Sequence, residues 1–79
     1  MGPNKTLFVQ NVPEDVEEED LVKIFEGFNG FHEVRHVKVL SVAFVEFENE
    51  QHAIAAKAQT TDLRMGKDQS LLKVTYQRK

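Results

Sequence analysis

The chain has 79 residues, 41% of them hydrophobic and 29% charged, and its 13 acidic and 10 basic side chains leave a net charge of −3. This length suits one small domain with a modest core. The lack of cysteine excludes a disulfide framework and a cysteine zinc site, and no apolar run approaches the roughly 20 residues that span a bilayer. We therefore expect a globular domain held by packing, without a membrane partner.

The first third of the chain predicts a strand followed by an amphipathic helix. LFVQNV at 7–12 is rich in strand-forming residues and stops before a proline. Asp15, with Glu18 three residues later, predicts a helix cap. Gly27 and Gly30 predict the end of that helix and a turn. The helix has one apolar stripe at helical spacing, formed by Val16, Leu21, Ile24, Phe25 and Phe28.

Two further strands are predicted in quick succession. The second covers 34–39, where we expect Val37 and Val39 on one face and His36 and Lys38 on the other. The third covers 42–47, and the gap between the two is very short. The pair therefore predicts a tight antiparallel connection.

The last part of the chain predicts a second helix and a final strand. Asn49 fits the cap of a helix that runs to about Gln59. Apolar and polar residues alternate at 72–77, which favours a strand. The order strand, helix, strand, strand, helix, strand predicts an α+β fold, the ferredoxin-like βαββαβ sandwich, with two helices on one face of a four-stranded antiparallel sheet. We expect 1–5 to be a leader or linker remnant and 6–79 to be a single domain.

Strand alternation predicts which side chains occupy the sheet face that the helices leave open. Leu7 and Val9 fit the helix-facing phase of the first strand, which leaves Phe8 on the open face. The same reasoning places Phe44 on that face in the third strand. Aromatic rings surrounded by cations are suited to stacking on bases and attracting phosphates. The candidate binding residues are Phe8, Gln10, Lys38, Phe44, Lys73, Thr75, Arg78 and Lys79.

Several stretches resemble the RNA recognition motif (RRM) family. LFVQNV resembles the first ribonucleoprotein motif of that family, and LSVAFVEF at 40–47 resembles a degenerate second one. PNKTLFVQNVPE, FNGFHEVRHV and AFVEFENEQHAIAAKA are similar to the C-terminal RRM of the spliceosomal U1 snRNP A family. The resemblance covers about 6–77 and implies a nuclear, RNA-binding pre-mRNA splicing component. It also implies a longer chain with another RRM.

The sequence departs from the RRM pattern in ways that predict weak binding. Leu40, Ser41 and Val42 stand where the motif has a basic residue, a glycine and an aromatic residue. One stacking ring and one phosphate-binding charge are therefore missing. Six of the 13 acidic residues lie on or before the first helix, across the sheet from the open face, namely Glu14, Asp15, Glu17, Glu18, Glu19 and Asp20. We expect weak contact with single-stranded RNA, with a protein–protein interaction module as the alternative.

Other functions receive less support from the sequence. RRM domains that bind peptides pair an acidic first helix with an Arg-x-Phe turn, but Arg64 is followed by Met65 and Gly66. His32 and His36 would lie about 13 Å apart on a strand, too far to share a metal. No glycine-rich anion loop and no nucleophile with a base stand out. We expect no enzyme activity, no cofactor, no metal and no small-molecule substrate.

Overall fold

In residues 2–78, which this computed structural model describes, the chain forms a four-stranded sheet, two helices and a two-stranded hairpin. A three-residue 3₁₀ turn at Lys38–Leu40 connects the second strand to the third. The elements are β1 (Thr6–Gln10), α1 (Glu18–Phe25), β2 (Phe31–Val37), β3 (Val42–Phe47), α2 (Glu50–Ala58), β4 (Arg64–Met65), β5 (Ser70–Leu71) and β6 (Lys73–Tyr76).

The four long strands form one antiparallel sheet in the order β2-β3-β1-β6. Alternate residues of β1 and β3, which point to one side, are fully buried together with Leu21 and Phe25 of α1 and Ala53 and Ala56 of α2. Both helices therefore cover the same face of the sheet, and the predicted ferredoxin-like fold is confirmed. Within the described residues, no helix is long and apolar enough to cross a membrane.

The core depends on the alternation that the sequence predicted for β1 and β3. Leu7, Val9, Ala43, Val45 and Phe47 have no solvent exposure. Burial of such side chains is worth about 1.5–3 kcal/mol each for the larger ones, which makes a one-residue slip of either strand very unfavourable. The intervening residues must consequently face away from the helices.

The N-terminal end of α1 differs from the prediction. The helix begins at Glu18 and its N-cap is Glu17, whose backbone N–H donates to the Asp20 carboxylate at 2.9 Å. Asp15 instead accepts a hydrogen bond from the backbone N–H of Lys67 at 2.8 Å. Val16 lies before the helix but is still buried. Several carboxylates in this acidic run could cap the helix, and the spacing of Asp15 and Glu18 did not distinguish them from Glu17 and Asp20.

The predicted phase of β2 was also wrong. Val34 is buried opposite Val45, and His36 lies opposite Ala43, so both point to the helix side. Val37 therefore faces the open side, where it pairs with Val42. The strand ends at Val37 because the next three residues form the 3₁₀ turn. Burial of Val34, rather than of Val37, thus determines which side chains of β2 face the helices.

The residues before β1 lie against the sheet. The backbone N–H of Thr6 donates to the Asn4 side chain at 3.0 Å, and Phe47 N–H donates to the carbonyl of Lys5 at 2.8 Å. β1 begins at Thr6, the first residue of the predicted domain. The division into 1–5 and 6–79 stays a prediction, and residue 1 lies outside the described part of the chain.

Candidate functional site

Two stacked phenylalanines form the centre of the open face, by which we mean the sheet surface opposite α1 and α2. Phe8 in β1 and Phe44 in β3 are directly paired across the two central strands. Their ring centroids lie 5.2 Å apart at an interplanar angle of 25°. Both rings are half-buried, so part of each remains accessible. The pair forms a continuous aromatic surface that can stack on planar groups.

Arg35 extends this surface on β2. It pairs with Phe44, and its guanidinium carbon lies 5.3 Å from the ring centroid, within the range of a cation–π contact. Its Nε lies 3.5 Å from a carboxylate oxygen of Glu33. Arg35 was not among the predicted binding residues because the predicted phase of β2 turned its side chain toward the helices. Val34 could have indicated the correct phase, because placing this valine in the core puts the next residue, Arg35, on the open face.

The open-face side chains line up in rows across the four strands, because directly paired residues point to the same side. One row carries the aromatic pair between a cation and a hydroxyl and consists of Arg35, Phe44, Phe8 and Thr75. The adjacent row is aliphatic on one side and polar on the other and consists of Val37, Val42, Gln10 and Lys73. The second row has no aromatic residue, as the sequence indicated for Val42.

The structure brings most of the predicted binding residues to one open depression of about 780 Å³. Lys57 of α2 and Tyr76 reach the rim of the depression at the β6 edge, where the lysine Nζ lies 5.4 Å from the ring centroid. The Thr75 hydroxyl donates a hydrogen bond to the backbone carbonyl of Phe8 at 3.4 Å. The predicted residues that line the depression are Phe8, Gln10, Phe44, Lys73, Thr75 and Arg78.

One predicted residue within the described part of the chain, Lys38, does not line the depression. Lys38 lies in the 3₁₀ turn rather than on a strand, and its Nζ contacts the Glu17 carboxylate at 2.6 Å. The strand position predicted for it was therefore wrong. Lys79 lies outside the described residues.

The third row of the open face is acidic. Glu33 and Glu46 face each other across β2 and β3, next to Arg35 and Phe44 respectively. Lys5 Nζ and His32 Nδ1 each lie 3.7 Å from the same carboxylate oxygen of Glu46. The open face is therefore cationic and aromatic at its centre and acidic at the end of β3.

The site has the parts of a binding surface. Aromatic rings stack on bases and nearby guanidinium or ammonium groups attract phosphates. Among residues 2–78, no three His, Cys, Asp or Glu side chains converge in a way that could hold a metal ion.

Comparisons with known proteins agree with this geometry. The chain is 44% identical to the U1 small nuclear ribonucleoprotein usp102 of Schizosaccharomyces pombe, over all of this chain and 31% of that protein. It is 37% identical to the U1 small nuclear ribonucleoprotein A of Drosophila melanogaster, over 98% of this chain and 36% of that protein. The chain thus spans about a third of these relatives' length.

A solved structure, the MEC-8 C-terminal RRM domain bound to AGCACA, superposes with a TM-score of 0.81. The two share 34% sequence identity, and the match covers 99% of this chain and 95% of the other. The family model for the RNA recognition motif matches residues 7–69. Proteins of this kind are binding proteins and not enzymes, as the sequence predicted. The chain belongs to the RNA recognition motif family.

Proposed function

We propose that this domain binds single-stranded RNA weakly through its open face, as part of a nuclear spliceosomal ribonucleoprotein. The observation that carries the proposal is the stacked pair of Phe8 and Phe44 with Arg35 over one ring. The names of the relatives support the spliceosomal part, since they are U1 and U2 small nuclear ribonucleoproteins. The neighbour bound to AGCACA supports an oligonucleotide as the ligand.

The size of the aromatic platform supports weak binding. Two rings accommodate about two bases, and each stacked base is worth about 1–3 kcal/mol by truncation. Val42 stands where a third ring would lie in the motif, and Leu40 offers no charge for a phosphate. The Lys38 ammonium is held by Glu17 on the helix side. Few contacts therefore remain to add to the two stacks.

The charge on the open face also supports modest affinity. The cations at or beside the aromatic row are Arg35, Lys73 and Arg78, and Lys57 reaches the β6 edge of the same depression. Glu33 and Glu46 lie on the same face and repel a phosphate backbone. We infer that the RNA crosses the aromatic row and the row of Val37, Val42, Gln10 and Lys73, and leaves the acidic row free of phosphates.

An NMR titration with the single-stranded RNA hexamer AGCACA tests the proposal. We expect small amide shifts in fast exchange near Phe8, Phe44 and Lys73. Phe44→Ala should weaken binding by about 5- to 150-fold, equivalent to about 1–3 kcal/mol, because one stack is lost. Ile54→Ala is the matched control, since Ile54 is an exposed apolar residue of α2 on the opposite side of the molecule. It should leave the titration unchanged.

The absence of amide shifts at millimolar RNA would contradict RNA binding and favour the second candidate, a protein–protein interaction module. Exposed aliphatic residues in the 3₁₀ turn favour that alternative, since Val39 is 91% exposed and Leu40 is 67% exposed. The acidic helix supports it less, because Glu17 contacts Lys38 and Glu18 accepts a hydrogen bond from the backbone N–H of His36. Shifts equal in size for wild type and Phe44→Ala would also count against the open face.

A further inference from the structure

Glu46 lies next to the aromatic platform. It follows Phe44 by two residues on β3, so both side chains point to the open face. Alternate residues of a strand are about 7 Å apart, which is close to the width of a base. A base stacked on Phe44 therefore brings one of its edges close to the Glu46 carboxylate.

This carboxylate has free capacity to accept hydrogen bonds. Its side chain is 29% exposed, and its contacts with Lys5 and His32 are 3.7 Å long. Both distances exceed those of a hydrogen bond. Among the described residues, no side chain or backbone N–H donates a hydrogen bond to the Glu46 carboxylate, although an ionised carboxylate can accept several.

The position of Glu46 is unfavourable for both folding and phosphate binding. Glu33 lies directly opposite, and like charges in such a pair destabilise a sheet. A carboxylate on an RNA-binding surface also repels phosphates. A carboxylate can, however, accept a hydrogen bond from a base, since base edges carry N–H donors.

We propose that Glu46 makes the open face select bases with an exocyclic amino group, and specifically cytosine over uracil. A carboxylate only accepts hydrogen bonds. Cytosine presents its N4 amino donor at the position where uracil presents the O4 acceptor. Uracil in the same place sets two acceptors against each other. This inference rests on the proposed RNA binding and adds one point of selectivity to it.

The test compares the single-stranded hexamers rC6 and rU6 in amide-shift titrations at pH 7. The two pyrimidines have the same ring size, so stacking changes little between them. Wild-type protein should bind rC6 about three- to tenfold more tightly than rU6, which is the ordinary net effect of one hydrogen bond and suits a partly exposed carboxylate. In Glu46→Gln the ratio should fall close to one, because the amide both donates and accepts.

Glu33→Gln is the matched control. It removes the same charge from the same row, so it should strengthen binding to both hexamers equally and leave their ratio unchanged. A wild-type ratio of one, or a ratio that falls equally in both variants or in neither, would overturn the selectivity of Glu46. RNA binding itself would still stand in that case. If neither hexamer shifts any amide, the proposed function fails, and this inference fails with it.

Discussion

Single side chains determine what the open face can contact, and Arg35 is an informative case. Its guanidinium lies over Phe44 and pairs with Glu33, so it is held at the edge of the aromatic platform. A planar guanidinium can stack on a base and also contact a phosphate. Arg35 therefore joins the stacking surface to its charge.

We expect Arg35→Ala to weaken RNA binding several-fold and to make its salt dependence shallower. Loss of one phosphate contact should change the slope of log K against log salt by about 0.7. Titrations at three salt concentrations measure this slope. Arg64→Ala is the control, because Arg64 lies in β4 and donates to the Gln69 carbonyl. An unchanged slope in Arg35→Ala would contradict a phosphate contact.

At this scale the sequence predicted the aromatic platform but not all its neighbours. Phe8 was predicted because Leu7 and Val9 share the apolar phase of β1. Phe44 was predicted because Ala43, Val45 and Phe47 suit the helix side, where the small Ala43 allows close approach. In β2 the valines at 34, 37 and 39 do not share one phase. Val34 is buried in the core and Val37 lies on the open side. The faces predicted for His36 and Lys38 were wrong for this reason.

At the scale of elements, the ends of the helices and strands hold the open face in place. Two carboxylates at the N-terminal end of α1 contact the end of β2 and the turn after it. Glu17 contacts Lys38, and Glu18 accepts a hydrogen bond from the backbone N–H of His36. The two-residue strands β4 and β5 were not predicted, because alternation needs a longer stretch to be visible. Ser41 adopts a left-handed conformation (φ 57°), which could not be predicted because serine has no particular preference for it.

The cap of α2 was predicted correctly, and its contribution can be measured. Asn49 accepts a hydrogen bond from the backbone N–H of His52 at 3.0 Å. We expect Asn49→Ala to lower the free energy of unfolding by about 1 kcal/mol, because one N-terminal donor of the helix loses its partner. Urea unfolding measures this change. Gln51→Ala, an exposed substitution within the same helix, should change stability by less than about 0.5 kcal/mol. Equal effects of the two would contradict a capping role.

The turn before β2 depends on glycine at one position. Gly30 has a φ of +81°, and a Cβ there would clash with the imidazole ring of His52. We expect Gly30→Ala to destabilise the fold by about 1–3 kcal/mol or more. Gly27→Ala is the control, because a Cβ there would lie 3.7 Å from the carbonyl oxygen of Ile24 without a clash. Thermal unfolding compares the two, and similar melting temperatures would contradict the account.

At the scale of the whole molecule, the fold places the acidic first turn of α1 on the side of the sheet opposite the aromatic pair. The element order predicted this arrangement, since two crossover helices must cover one face of the sheet. The net charge of −3 therefore does not describe the open face. Local charge there is a mixture of four nearby cations, including Lys57, and the acidic row of Glu33 and Glu46.

This mixture predicts a shallow salt dependence for the domain as a whole. With four cations at the depression, the slope of log K against log salt should not exceed about 3 in magnitude, at roughly 0.7 per phosphate contact. Fluorescence anisotropy with a labelled hexamer between low and physiological salt provides the slope. A value several times larger would mean that cations elsewhere in the chain contribute.

The most direct measurement of the central claim is a set of intermolecular nuclear Overhauser effects between the domain and bound AGCACA RNA. Stacking on the open face predicts contacts from the ring protons of Phe8 and Phe44 to base protons. Contacts confined to the helix side, or to the exposed aliphatic residues Val39 and Leu40, would contradict it.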